Sequence, residues 1–264
     1  MIDLHCHILP GIDDGPLTME GSLALASAAS AGATHTIVAT PHVSWAWPQN
    51  DAATIATGVR ALNDALRQAG IAVDVIAGAE VALSRAADLT FPELEALRLG
   101  GGPRLLVECP LTAEAPGFEQ GLATLQSQGH RILLAHPERS PAIQRNPRFL
   151  ASLVDRGMLT SVTASAFTGR FGRTVQRFAF DLVQRGLAHD VASDAHDAVR
   201  RPPALATVLE EAGLEQHAAR LAEAAPEAIL RGAPVPTAPV LTRAGLRARL
   251  FRAHTSAAAR SDGS

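Results

Sequence analysis

Ile2-Asp3-Leu4-His5-Cys6-His7-Ile8-Leu9-Pro10-Gly11-Ile12-Asp13-Asp14-Gly15 opens the chain, and its first residues read as a buried strand running into a tight turn. On a strand, positions i and i+2 point the same way, so His5 and His7 can reach one ion while Cys6 faces away. A helix is expected next, from Thr18 as N-cap to Ala31, with Gly32 as its stop. This unit of short apolar run, turn and helical stretch then recurs. The runs are Thr36 to Thr40, Val73 to Ala79, Arg104 to Cys109, Arg131 to Ala135, Thr160 to Ala164 and Asp190 to Ser193. Helices are expected near Asp51 to Ala69, Gly117 to Gln128, Pro147 to Arg156, Gly172 to Arg185, Pro203 to Ala212 and Leu214 to Ala224. Strand–helix alternation means parallel strands joined by crossover helices. Seven units suggest a TIM-like (β/α) barrel one unit short of eight, with an open doubly wound sheet as the other arrangement.

Parallel strands place all their C-terminal ends on one face, and the polar residues fall there. His5 and His7 close the first run, His42 follows the second, Glu80 the third and Glu108 the fourth. His136 follows the fifth, and Asp194 and His196 the seventh. Imidazoles and carboxylates gathered without a cation would be costly, because the acids repel and the rings lose hydration. A donor set of nitrogen and oxygen without thiolate suits Mn²⁺, Fe²⁺ or Zn²⁺. So many candidate ligands imply two or three divalent ions. Two ions about 4 Å apart are a known clamp for in-line attack on phosphorus. Asp14, in the turn after the histidine pair, is a further candidate ligand, with Asp13 beside it as the alternative. Arg139 and Arg201 follow ligands on the same face, where a guanidinium can grip phosphate oxygens. His35, His130, His189, His217 and His254 fall at strand starts, on helices or in the tail, and read as structural or solvent-facing.

Composition narrows the chemistry. The chain has 264 residues, 47% of them hydrophobic, and a formal net charge of −3. That balance excludes a general nucleic-acid coat. No apolar run is long enough to span a membrane, so stable membrane insertion is not expected. No secretory signal is seen, and two cysteines cannot build a disulfide framework, so a cytoplasmic setting is expected. All 23 basic residues are Arg. Schiff-base, P-loop and carbamylated-lysine chemistry are thereby excluded. Cysteine phosphatases need Cys-x₅-Arg, but the sixth residue after Cys6 is Ile12 and after Cys109 is Ala115.

The opening stretch, together with Ala39-Thr40-Pro41-His42, Gly78-Ala79-Glu80, His136-Pro137-Glu138-Arg139, Ser193-Asp194-Ala195-His196 and Arg201-Pro202-Pro203, resembles the bacterial tyrosine-protein phosphatases of capsule and exopolysaccharide systems. These belong to the polymerase and histidinol phosphatase (PHP) superfamily, and the resemblance covers residues 1–232. It implies a distorted seven-stranded barrel with a trinuclear, usually Mn²⁺-dependent, centre. His5, His7, Glu80 and Asp194 would hold one ion, and Glu80 would bridge to a second held with Glu108 and His136. Asp14, His42 and His196 would hold the third. A metal-bound hydroxide would attack phosphotyrosine while Arg139 and Arg201 steady the phosphate. The implied substrate is a phosphotyrosyl protein, such as a tyrosine autokinase controlling capsule synthesis. The chain departs from the pattern at Ala225-Pro226, where Asn-Pro is usual, and at Asp197, where Asn commonly follows Asp-Ala-His. The other readings are a histidinol-phosphate type of small-molecule phosphatase, a metal amidohydrolase with a carboxylate bridge, and a non-catalytic module with structural metals.

After Gly232 the chain changes character. Ala233-Pro234-Val235-Pro236-Thr237-Ala238-Pro239 reads as an extended linker. The tail from Leu241 carries five Arg against Asp262, and is read either as solvated or as a basic amphipathic contact. Residues 1–232 are expected to form the catalytic barrel and 233–264 the linker and tail. Oligomeric state is left open.

Overall fold

The computed structural model of the chain describes residues 1–236. The basic tail, and the linker beyond Pro236, lie outside the described residues. Nine strands occur among them: β1 (Ile2–Cys6), β2 (Thr36–Ala39), β3 (His42–Val43), β4 (Asp74–Ala77), β5 (Glu80–Val81), β6 (Arg104–Glu108), β7 (Arg131–Ala135), β8 (Leu159–Thr163) and β9 (Asp190–Ala192). The helices are α1 (Met19–Ala31), α2 (Ala52–Ala69), α3 (Leu83–Ala86), α4 (Phe91–Ala96), α5 (Phe118–Ser127), α6 (Pro141–Arg145), α7 (Pro147–Asp155), α8 (Arg173–Gln184), α9 (Leu205–Glu211) and α10 (Ala225–Arg231). All strand pairings are parallel. One sheet has the order β1-β2-β4 and the other β3-β5-β6-β7-β8-β9.

Nine strands rather than seven arise because two of the expected runs are each followed, beyond their expected end, by a further two-residue strand. Thr36 to Thr40 was expected as one strand closing before His42; instead β2 stops at Ala39 and β3 begins at His42. Pro41 has no N–H to give to a ladder, and the Thr40 hydroxyl is drawn sideways to accept from Cys6 N at 2.9 Å. The Val73 to Ala79 run breaks at Gly78, where a Cβ would lie 2.7 Å from Val38 Cγ1 and 2.9 Å from Leu99 Cδ2. Only glycine permits that close approach. The two sheets meet at the end of β1. Asp194 N donates to His5 O at 2.8 Å, His7 N to Ala195 O at 2.9 Å, and Ser193 N to Asp3 Oδ1 at 2.9 Å.

The helices follow their caps. Thr18 Oγ1 accepts from Gly21 N at the start of α1, and Asp51 Oδ1 accepts from Thr54 N at 2.8 Å at the start of α2. α2 buries Ile55, Val59, Leu62 and Leu66, one stripe at helical spacing. Burying each such side chain contributes roughly 1.5–3 kcal/mol. The stretch expected as a helix from Leu214 to Ala224 is a 3₁₀ turn (Glu215–His217) and a π turn (Arg220–Ala224) leading into α10. Pro226, in the first turn of α10, cannot donate back to Ala222 O, which favours the wider turn there. α3 and α4 lie in a segment for which no helix was expected.

The core has two parts. Alternate residues such as Leu105, Val107, Ile132 and Leu134 pack with α1, α2, α5, α7 and α8 in the larger cluster. Leu4, Val38, Leu106, Leu133 and Leu159, drawn from both sheets, meet Leu99 and Ile229 in the smaller one. Strands buried on both faces leave polar side chains one place to emerge, which is beyond their C-terminal ends.

Candidate metal centre

Glu80 stands at the middle of the strand-end cluster, at the start of β5 and fully buried. Its Oε1 lies 2.7 Å from His136 Nε2. Its Oε2 lies 3.3 Å from His5 Nε2, 3.4 Å from His7 Nε2 and 3.2 Å from His42 Nδ1. His5 and His7 turn the same way from β1, and their Nε2 atoms are 3.2 Å apart. Asp194 Oδ1 sits 3.7 Å from His5 Nε2 and 3.6 Å from His7 Nε2. The other Asp194 oxygen takes both guanidinium groups, Arg139 Nη1 at 2.5 Å and Arg201 Nη2 at 2.7 Å. One carboxylate therefore joins the histidine cluster to the arginine pair.

Donor atoms fall into three overlapping groups, each within 4.8 Å: His7, Asp14, His42 and His196; His5, His7 and Glu80; His42, Glu80 and Glu108. All nine residues singled out as candidate ligands lie in this one region, together with Arg139 and Arg201. The grouping differs from the implied one. His7 joins Asp14, His42 and His196 as well as His5 and Glu80, and Glu108 groups with His42 and Glu80, while Asp194 and His136 fall in none of the three groups; His136 meets Glu80 through Nε2 and stacks on the His5 ring.

The Asp13–Asp14 pair divides its work. Asp14 Oδ1 lies 3.3 Å from His196 Nε2 and 3.5 Å from His42 Nε2, facing the cluster. Asp13 turns away from it. Its Oδ2 accepts from His7 Nδ1 at 2.7 Å and from His42 N at 3.1 Å, and its Oδ1 accepts from Gly15 N at 3.0 Å. A carboxylate on Nδ1 fixes the tautomer and leaves Nε2 of His7 facing Glu80.

The buried acids and imidazoles of the cluster strongly shift one another's ionisation. Burial alone would raise the Asp194 carboxyl, but His5, His136 and Arg201 outweigh it and hold it at about 2. Burial likewise opposes a charged Glu80, and His5 and His136 keep it well below its usual range. Glu108 goes the other way, pushed up to about 7 by burial and by the Glu80 charge. Burial disfavours the charged His7 ring, yet hydrogen bonds to Asp13 and Glu80 raise it to about 10. His42 and His196 are lowered, chiefly by burial. His136 and Asp194 adopt positive φ, 37° and 51°. Non-glycine residues held there store strain of the kind found at functional sites.

These residues fit divalent cations. Their N···N and N···O separations match donors sharing an ion at about 2.0–2.2 Å. Buried His136 Nδ1 has no hydrogen-bond partner among the described residues, and the donor set is imidazole and carboxylate throughout. Both cysteines are buried outside the groups.

Asn50 and Phe171 carried no signal in the sequence, whereas Trp45 and Trp47 stand out in the loop after His42 as either substrate-facing or packing residues. Asn50 Nδ2 donates to Ile12 O at 2.9 Å and His42 O at 2.8 Å, tying the Asp13–Asp14 turn to the His42 segment. The Phe171 ring lies beneath the Arg139 guanidinium, 4.5 Å from its centroid. Trp47 stacks on His42 at 4.9 Å between centroids and 8° between planes. Trp45 beside it is 59% exposed, with Arg85 over its ring. Of the histidines set aside as structural, His130, His189 and His217 lie on the fold away from the three donor groups. His35 bonds Glu223 at the surface, and His254 lies outside the described residues.

A parallel α/β scaffold with clustered imidazoles, carboxylates and an arginine pair at its strand ends defines a metal-dependent hydrolase type of centre. The family model for capsular polysaccharide synthesis, CpsB/CapC, matches residues 1–231, and the chain belongs to that family. It is 34% identical over 201 residues to the tyrosine-protein phosphatase YwqE of Bacillus subtilis, covering 76% of this chain and 79% of that protein. It also resembles a solved structure described with YwqE from Bacillus subtilis and CpsB from Streptococcus pneumoniae as unique metal-dependent tyrosine phosphatases. There the TM-score is 0.78 with 32% identity, over 90% of this chain and 97% of the other. A dihydropyrimidinase from Brevibacillus agri shares the fold at a TM-score of 0.50 and 14% identity, over 81% of this chain and 66% of that one.

Proposed function

We propose that this chain is a metal-dependent protein-tyrosine phosphatase, a phosphoric monoester hydrolase acting on a phosphotyrosyl protein of capsule or exopolysaccharide synthesis. The observation that carries the reading is Asp194, whose two oxygens couple the histidine–carboxylate cluster to Arg139 and Arg201. His5, His7, Asp14, His42, Glu80, Glu108, His136, Asp194 and His196 would hold two or three divalent ions. Manganese is the ion proposed, since the donors are nitrogen and oxygen only, with Zn²⁺ and Fe²⁺ as the other fits. Such ions supply Lewis acidity toward phosphate oxygens and an activated water at neutral pH.

The protein's own groups do the rest. Arg139 and Arg201, set by Asp194, grip the non-bridging phosphate oxygens, and Phe171 keeps the Arg139 plane in place. Asp13 orients His7, and Asn50 holds the Asp13–Asp14 turn against His42. Trp45 and Trp47 form an apolar wall at the mouth, suited to an aryl ester. The natural substrate proposed is a bacterial tyrosine autokinase, on the strength of the family's link to capsule synthesis.

The architecture proposed is a single distorted seven-stranded barrel. Joining β2 to β3 and β4 to β5 across their breaks leaves seven strand positions, and the bridge between Cys6 and Ala195 links the two sheets. Residues 1–232 are proposed as the catalytic unit, ending at the left-handed Gly232 cap of α10, with 233–264 as linker and tail. No helix among the described residues is long and apolar enough to cross a membrane. A cytoplasmic setting is proposed from two buried free thiols, Cys6 and Cys109.

Phosphate release from a phosphotyrosyl peptide by Mn²⁺-loaded protein, abolished by a chelator, tests the function. Turnover of histidinol phosphate far faster than any phosphotyrosyl peptide would overturn it in favour of a small-molecule phosphatase.

A further inference from the structure

A cavity of about 130 Å³ opens beside the candidate metal centre. Its polar lining comes from two loops at the strand ends: Ser165, Thr168 and Arg170 follow β8, and Ser193 and Arg201 follow β9. One water occupies roughly 10–15 Å³ on a comparable measure, so the space holds several waters or a carboxylate group. No acidic residue among the described residues lines it. Arg201 belongs to both places, since the guanidinium on Asp194 also walls the cavity. Asp194 is already shared with Arg139, so a single carboxylate faces two guanidinium groups. Arg170 is exposed and pairs with no carboxylate among the described residues, and the Ser165 hydroxyl has no hydrogen-bond partner among them. The loop is pinned by its own backbone, with Arg170 N on Ser165 O at 3.3 Å and Thr168 Oγ1 on the same oxygen at 3.1 Å.

We propose that this cavity is a second anion subsite, taking an acidic side chain of the polypeptide that carries the phosphotyrosine, an inference that rests on the tyrosine-phosphatase reading and extends it to substrate choice. An Arg170 guanidinium with no carboxylate partner among the described residues, a second from Arg201 that shares its carboxylate with Arg139, and a free hydroxyl make a carboxylate receptor. The cavity adjoins the residue that grips the phosphate. An extended chain advances about 3.3–3.6 Å per residue, so the acid lies within a few positions of the phosphotyrosine.

The test uses the full-length, metal-loaded protein and phosphotyrosyl peptides with a single Glu at each of three positions on either side, matched to Gln counterparts. Wild type should favour Glu in kcat/KM by about fivefold at one position or more, the scale of a partly exposed charge pair. Arg170→Gln should bring that ratio to one while leaving Gln-peptide and p-nitrophenyl phosphate values within twofold of wild type. Binding of the same Glu and Gln peptides carrying non-hydrolysable phosphonomethyl-phenylalanine, read by fluorescence anisotropy, should show the same ratio. Sulfate should erode it only when present well above the peptide concentration. A Glu/Gln ratio within twofold at every position in both measurements overturns the subsite, as does a ratio that survives Arg170→Gln. Absence of phosphate release from every substrate, with the acidic preference in binding retained, overturns the phosphatase reading and leaves the subsite standing.

Discussion

Asp13→Asn is the sharpest perturbation of the centre, because it preserves volume and changes only what the side chain can accept. The Asp13 carboxylate is fully enclosed and receives three donors: His7 Nδ1 at 2.7 Å, His42 N at 3.1 Å and Gly15 N at 3.0 Å. A carboxamide offers one oxygen in place of two, so at least one of those donors meets an N–H. Leaving a buried donor unsatisfied costs about 1–3 kcal/mol. Loss of a carboxylate partner on a ligating imidazole typically costs 10–100-fold in metal affinity, which is about 1.4–2.7 kcal/mol and agrees with that figure. The expected outcome is a 10–100-fold weaker affinity for Mn²⁺, measured by competition with a chromophoric chelator. Asp14→Asn is expected instead to lower the number of ions bound, because Asp14 faces His42 and His196 directly. An Asp13→Asn affinity within threefold of wild type would refute the orienting role. A lost ion in Asp13→Asn with full stoichiometry in Asp14→Asn would reverse the assignment of the pair.

Three further outcomes are expected. Chelation should lower the thermal midpoint by roughly 5–10 °C, because ligand at 100 times its dissociation constant stabilises by about 2.7 kcal/mol, and a chain of this size shifts about 2–4 °C per kcal/mol; a midpoint unmoved by chelator counts against the centre. Arg139→Lys should reduce kcat/KM on an aryl phosphate at least tenfold at unchanged metal content, since lysine loses both the planar contact with Phe171 and the fork toward Asp194 and phosphate; a loss under threefold would show that the guanidinium plane is irrelevant. His189 accepts from Thr160 N at 3.1 Å and is held to about 4, by burial first and then by Arg104 and Arg220. Its folded value lies below the unfolded one, so its contribution is present above pH 6.5 and is lost as the pH falls from 6.5 toward 4. Chelated wild type should lose about 2 kcal/mol from this group by pH 5, relative to His189→Asn, in denaturant melts; parallel stability profiles would refute it.

Local pattern was enough to gather most of the candidate ligands at one end of the strands. The i, i+2 spacing of His5 and His7 lies on one strand, and the placement of His42, Glu80, Glu108, His136 and Asp194 follows from parallel strands ending on one face. That logic needs only the sequence positions of the runs and the handedness of their connections. It also gave the alternation of strands and helices, because buried parallel strands and amphipathic helices have different periods.

Tertiary structure alone decided which way each carboxylate faces. Asp13 and Asp14 are neighbours with the same chemistry; only the approach of His42 N, 29 residues away, turns one toward His7 Nδ1 and leaves the other toward His196. Asn50 and Phe171 act through partners 8 to 38 residues distant, and no local spacing encodes such contacts. The breaks at Pro41 and Gly78 came from a missing amide and from the close approach of Val38 and Leu99, and only the second of these required the packed fold to be seen. Residue types and periodicity set what can gather at the strand ends. Orientation within the gathering depends on contacts between segments far apart in the chain, and these exist only once it has folded.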